Sequence, residues 1–244
     1  MKSKKLISLL SVLIVPSAAL AHGNVDISNG SQVEFYKVTE HHVNQDHQDH
    51  EDGYGIEAVW MHDSGYFIYG EGETGIHNFY QLGGGKYFQP SDTLGWYLYG
   101  AYAQGGYEGS NELRSRLGAD YQAFSGMTLH GRLGFDYGNS KITLDDHEHY
   151  AAHHDSGRSK VSRMDAGFTY ALGEVAEFKY NYVMQKQHES ALVLDNKSNL
   201  HYEARITYTD SALKPYMEYR QTNKAFDKEH FEEQAVQLGV AFNF

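Results

Sequence analysis

Three groups of side chains in this sequence could do chemistry, and each asks for a different scaffold. The first is a set of histidines. Eleven of the 15 His stand in or beside predicted loops and mingle with acidic residues, among them His41-His42, His47-Gln48-Asp49-His50 and the run from Asp145 to Asp155. Within that run, His147-x-His149 and His153-His154 place four imidazoles at close spacing. Neutral imidazoles mixed with carboxylates suit Zn²⁺ or Cu²⁺, and four such ligands complete a coordination shell. The same composition describes a solvated acidic loop in which His supplies pH-dependent charge. Both readings stand, and no cofactor is expected beyond zinc or copper at these loops.

The second group is Asp145-Asp146-His147, which has the residue types of an acid–base site. A base must lie within hydrogen-bond reach of its nucleophile, and acidic, His-rich stretches produce such tripeptides by composition alone. The sequence holds no Gly-x-Ser-x-Gly, no His-Glu-x-x-His and no cysteine. Two common hydrolase motifs and any thiolate nucleophile are therefore missing. The chain is not expected to be an enzyme. The third group is a series of Arg, Lys, Asp and Glu set at every second position among Tyr, Phe and Leu. That spacing needs strands to make sense of it.

Composition agrees. The 244 residues include 25 Gly, 20 Tyr and 12 Phe but only 3 Pro. Aromatics favour strands and Gly disfavours helices, so an all-β chain is expected. The formal net charge of -12 argues against a nucleic-acid partner, which needs a basic surface. At the N-terminus Lys2, Lys4 and Lys5 precede an apolar run from Leu6 to Val15, then Pro16 and the small-x-small site Ala19-Leu20-Ala21. This is the pattern of a secretory signal peptide over 1–21, with the mature domain at 22–244. The apolar run is well short of the roughly 20 residues a membrane-spanning helix needs.

The strands show which faces the charges occupy. Met127, Leu129, Leu133, Phe135 and Tyr137 fall on one face, and Thr128, His130, Arg132 and Asp136 on the other. Leu200, Tyr202, Ala204, Ile206 and Tyr208 alternate with His201, Glu203, Arg205 and Thr207 in the same way. Phe178 to Met184 and Val236 to Phe244 repeat the pattern. Weaker strands are predicted near 32–43, 53–62, 65–73, 77–88, 93–104, 111–122, 160–171 and 212–223, which brings the total to twelve. One of these is interrupted by Gly83-Gly84-Gly85. Alternate connections are short, such as Leu172-Gly173-Glu174, while those between are mostly long and polar, such as 138–159 and 187–198. An even strand count, short turns at one end and long loops at the other describe a transmembrane antiparallel up-and-down β-barrel in a bacterial outer membrane. A soluble β-sandwich would share the strand spacing, but not charged mid-strand positions opposite aromatic ones.

In such a barrel the inward face carries Arg114, Arg116, Arg132, Arg163, Lys179, Arg205, Lys214 and Arg220. The acids Glu112, Asp120, Asp136, Asp165, Glu177, Glu203 and Glu218 accompany them, so the wall reads as close to neutral. Charges at membrane depth line water or pair with one another. These residues are thus expected either to line a narrow pore or to form an ion-pair ladder that fills the barrel.

The C-terminal segment adds a resemblance. Its alternating apolar face ending in Phe244 resembles the last strand of bacterial outer-membrane proteins. That resemblance implies periplasmic chaperones and the barrel-assembly machinery as partners, through Phe244. The stretch from Leu200 through Leu213-Lys-Pro-Tyr-Met-Glu-Tyr-Arg220 to Phe244 is similar to the end of the oligogalacturonate-specific porin family. It implies a monomeric porin in contact with outer-membrane lipid that passes acidic oligosaccharides or small solutes. The sequence departs from that pattern in being acidic with a mixed wall. The expectation carried forward is a narrow passive channel for small hydrophilic solutes, oligosaccharides among them, with a His-rich metal-binding surface protein as the alternative.

Overall fold

The computed structural model describes residues 27–42, 50–75, 78–105, 111–142, 155–189, 198–224 and 233–244. The signal-peptide reading and most of the eleven loop-associated histidines, including His147, His149, His153 and His154, lie outside them. After a 3-10 turn at Ile27–Asn29 come twelve strands: β1 Gln32–His42, β2 His50–Met61, β3 Tyr66–Thr74, β4 Phe79–Ser91, β5 Leu94–Gly105 and β6 Asn111–Phe124, then β7 Met127–Ile142, β8 Asp155–Leu172, β9 Ala176–Glu189, β10 Ser198–Tyr208, β11 Leu213–Lys224 and β12 Glu233–Asn243. Each pairs antiparallel with the next, and β1 pairs with β12 from Gln32 opposite Asn243 to His42 opposite Glu233, which closes the barrel.

The strands differ from the expected ones mainly at their ends. β7 and β8 run on to pair Ile142 with Asp155, well into the stretch read as a loop. Their extra residues, Ser140, Lys141, Ser156 and Gly157 among them, are polar or small. Alternation of hydrophobicity stops there although backbone pairing continues. β4 also passes through Gly83-Gly84-Gly85 without a break. A Cβ at Gly83 or Gly85 would run into the β5 backbone, so the glycines permit a close approach of two strands rather than ending one. At the short connections the chain turns on Gly65, Gly126 and Gly173, all at positive φ.

The faces are sorted in the opposite sense to a soluble barrel. Among the described residues buried polar and charged side chains outnumber buried apolar ones, while Leu82, Leu113, Leu133 and Ile68 are more than half exposed on the outer surface. Soluble monomers seldom expose apolar patches beyond a few hundred Å²; here the apolar surface encircles the barrel. Aromatics gather at both rims of this belt. At the short-turn end Phe88 stacks on Trp96 with centroids 4.1 Å apart, and Phe242 lies 6.2 Å from Phe244. At the loop end Tyr102 donates to Asn111 at 2.9 Å and Tyr219 to Gln221 at 3.2 Å. Two aromatic girdles around an apolar band are the outer surface of a membrane barrel.

Inside, three tyrosines lie across glycines directly opposite them: Tyr36 over Gly55, Tyr97 over Gly118 and Tyr216 over Gly239. A side chain at any of these glycines would occupy the space of the ring. The rings lie flat against the wall as a result. The sorting of faces sets the first expected outcome. Leu133→Arg, on the outer face, should destabilise the barrel by about 2–4 kcal/mol if it sits near the bilayer midplane. Urea unfolding of protein refolded into liposomes measures this, and no loss of stability would mean that the belt does not face lipid.

Candidate functional site

All fifteen charged residues expected on the wall occupy inward positions. Arg116, Arg163, Arg205 and Arg220 are buried with Asp136, Asp165, Glu203 and Glu218, while Arg114, Arg132, Lys179, Lys214, Glu112, Asp120 and Glu177 are half-buried. The geometry brings most of them into ion pairs. Arg116 donates to both carboxylate oxygens of Asp136, with Nη2 3.0 Å from Oδ2. Arg132 and Arg163 share Asp165, at 2.5 and 2.8 Å. Arg114 holds Glu112 at 2.9 Å and reaches two strands away to the Gln81 amide oxygen at 3.0 Å. Arg220 lies 3.8 Å from Glu203 and 3.9 Å from Glu218. Glu203 in turn accepts from Asn181 at 3.1 Å and faces His201 at 3.3 Å. Asp120 sits opposite His130 across the β6–β7 ladder.

Arg205 ties together a quarter of the wall. Its Nε donates to Glu218 at 2.8 Å, and its Nη1 reaches both oxygens of Glu34 at 3.1 Å. Glu34 is on β1, three strands round the barrel from β10. The guanidinium lies 4.0 Å above the Tyr216 ring, which the Gly239 contact holds in place. Cation–π contact with a desolvated guanidinium adds to the charge-assisted hydrogen bonds.

The wall also holds acids that the sequence reading did not place there. Glu34, Glu40, Glu57, Glu71 and Glu73 are all buried on the inward face of β1–β3. Glu34, Glu57 and Glu71 stand directly opposite one another across β1, β2 and β3. Adjacent like charges repel, and neutral donors offset this at Glu71. Tyr69 and Gln81 each donate to it at 2.5 Å, and Tyr36 donates to Glu71 and Glu73 at 3.5 and 3.3 Å. Among the described residues, the buried and half-buried part of the inward face therefore carries twelve acids against eight Arg and Lys, and every one of those bases is on β6–β11. The near-neutral wall expected from sequence becomes an acidic one. A signal existed: Glu57 and Glu71 each sit two residues from other inward positions. Inward Tyr36, Val38, Val59 and Tyr69, however, hide the polar–apolar contrast on these strands.

Among the described residues no group of three or more His, Asp or Glu is arranged to hold a metal ion. His62 bonds Ser64 at 2.8 Å in a turn, and His188 bonds Ser162 at 2.8 Å on the outer face.

Comparison with known proteins gives the fold a context. No family model and no curated protein sequence matches the chain. Solved structures do. A NanC porin structure aligns with a TM-score of 0.70 at 13% identity, covering 87% of this chain and 100% of the porin. The KdgM porin aligns at 0.56 and 10% identity, covering 87% and 99%. The translocator domain of the autotransporter NalP from Neisseria meningitidis aligns at 0.53 and 12% identity, covering 88% of each chain. The chain thus has the fold of small outer-membrane barrels, porins prominent among them.

Pairing with a strand three places round the barrel raises the cost of neutralising Arg205. Sequence alone suggests that Arg205→Leu leaves folding mostly intact. In the structure it strands Glu34 in a buried setting and leaves Glu218 with only Arg220 at 3.9 Å, and loss of one partner of a buried pair costs about 3–5 kcal/mol. Adding Glu34→Gln should recover part of that loss. Unfolding midpoints of the single and double variants check this, and equal stability of Arg205→Leu and the parent would contradict it.

Proposed function

We propose that this chain is an outer-membrane porin: a narrow, passive channel for small hydrophilic solutes. The observation that carries the reading is the closed barrel with charge inside and an apolar, aromatic-rimmed surface outside. Water and polar solutes have a lined path through such a barrel, whereas lipid contacts only its exterior. Likeness to NanC and KdgM, both named as porins, supports it at the level of fold. Short turns then face the periplasm and long loops the cell exterior. Membrane lipid surrounds the whole apolar belt, which fits a monomer, and Phe244 at the chain end is the natural contact for chaperones and assembly machinery. The spacing of His147, His149, His153 and His154 carries a second reading, capture of zinc or copper at the outer surface.

The composition of the wall narrows the solute class. Arg205 and Arg114 extend along the wall past neighbouring strands and take up lumen volume. Twelve inward acids against eight bases disfavour anionic sugars and favour neutral or cationic solutes. Charges inside a lipid-walled pore are screened less than loop charges, which fade over about 8–10 Å in physiological salt. Refolded protein in a planar bilayer should give discrete conductance steps, with a reversal potential showing cation preference even in concentrated salt. Raising pH from about 5 to 8 should strengthen that preference as loop His lose positive charge. Electrical silence would overturn the channel reading, and anion preference in concentrated salt would overturn the solute class.

A further inference from the structure

The inner wall is not polar throughout. Towards the short-turn end, β2, β3 and β5 turn Val59, Phe67, Tyr69, Tyr97, Tyr99 and Ala101 into the lumen as one apolar cluster, with Tyr97 and Tyr99 6.2 Å apart and Phe67 edge-on to Tyr99 at 6.0 Å. A wall of this kind left against water would expose aromatic surface at a cost proportional to its area. It is covered from within the chain. Ile27, which opens the 3-10 turn ahead of β1, is only 4% exposed and belongs to the same cluster. The turn is fastened where it crosses the rim. Gly30 N–H donates to the Ile27 carbonyl at 3.3 Å, and Asn243 Nδ2 to the Asn29 carbonyl at 3.2 Å. Ser31 Oγ accepts from the Met61 N–H at 2.9 Å, and Phe244 N–H donates to the Ser31 carbonyl at 3.1 Å.

We propose that the Ile27–Asn29 turn is an intramolecular plug, with Ile27 as the side chain that occupies an aromatic pocket in the short-turn mouth of the barrel. The partner that this surface fits is apolar and uncharged, because the pocket offers rings and aliphatic carbons. The turn lies outside the barrel ladder, and its anchors are backbone and amide hydrogen bonds at the rim. It can leave the pocket without breaking strand pairing. Removing one buried isoleucine from such a pocket should shift the occupied-to-open balance by about tenfold or more. This inference goes beyond solute passage and does not need the barrel to conduct.

The chain has no cysteine, so a single introduced thiol reports on the mouth without background. Val59→Cys places it in the cluster that Ile27 joins, and Ala235→Cys places a second, buried and inward, at the loop end. Each is refolded into liposomes and treated with a membrane-impermeant sulfonated thiol reagent. The Val59→Cys thiol should react slowly with Ile27 or Ile27→Leu, and about tenfold or more faster with Ile27→Asp. The Ala235→Cys thiol should keep one rate throughout. Heat-modifiable migration on gels confirms that every variant forms a barrel. An unchanged rate at Val59→Cys in the Ile27→Asp background would overturn the plug. So would equal acceleration of both thiols, which would mean a loosened barrel. Because labelling is read without current, an electrically silent barrel would sink the channel reading and leave this one decided on its own result.

Discussion

The ladder between the first and last strands is the contact on which the rest of the structure depends. From Gln32 opposite Asn243 to His42 opposite Glu233 it removes the two edges that a twelve-stranded sheet would otherwise carry. In hydrocarbon an unpaired edge N–H or C=O has no water to bond, and each costs several kcal/mol. Closure therefore comes before any role for the side chains. Once the sheet is closed, strand alternation divides every residue between lipid and lumen, and both faces follow from that one constraint.

The lumen then has to reconcile many charges in a small volume. It does so in two ways. On β6–β11 bases and acids neutralise one another locally, as in Arg116–Asp136 and the Arg132–Asp165–Arg163 group. On β1–β3 the inward positions carry no Arg or Lys, and tyrosine hydroxyls and Gln81 satisfy Glu71 instead. Arg205 links the two regions through Glu34. Buried ion pairs are costly to desolvate and costly to break. Their arrangement across the lumen thus fixes the shape of the cavity more than it adds net stability.

The strands were legible where the two faces differ sharply. Residues 127–137 and 200–208 alternate apolar with charged side chains, and their faces lie as the alternation indicates. Legibility fails for two physical reasons. Beyond the apolar belt both faces of a strand are polar, so the ends of β7 and β8 carry no contrast although they pair to Ile142 and Asp155. Inside the barrel, inward tyrosines lie flat over glycines, so β1 and β2 look apolar on both faces and conceal Glu34 and Glu57. The Arg205–Glu34 contact was beyond reach of sequence, since it joins residues 171 positions apart. Pairwise spacing along a strand says nothing about partners several strands round the barrel.

The central claim is that the apolar surface of this barrel meets lipid, and its two tryptophans can test that without any substitution. Trp60 and Trp96 are the only ones in the chain, both point outward, and both lie close to short turns, within one aromatic girdle. Protein refolded into vesicles of brominated phosphatidylcholine should show blue-shifted tryptophan emission. Quenching should be strong when bromine is placed high on the acyl chains and weaker when it is near their ends, with little effect of aqueous acrylamide. Emission that ignores bromine at every depth and is quenched fully by acrylamide would place both rings in water and contradict the membrane barrel.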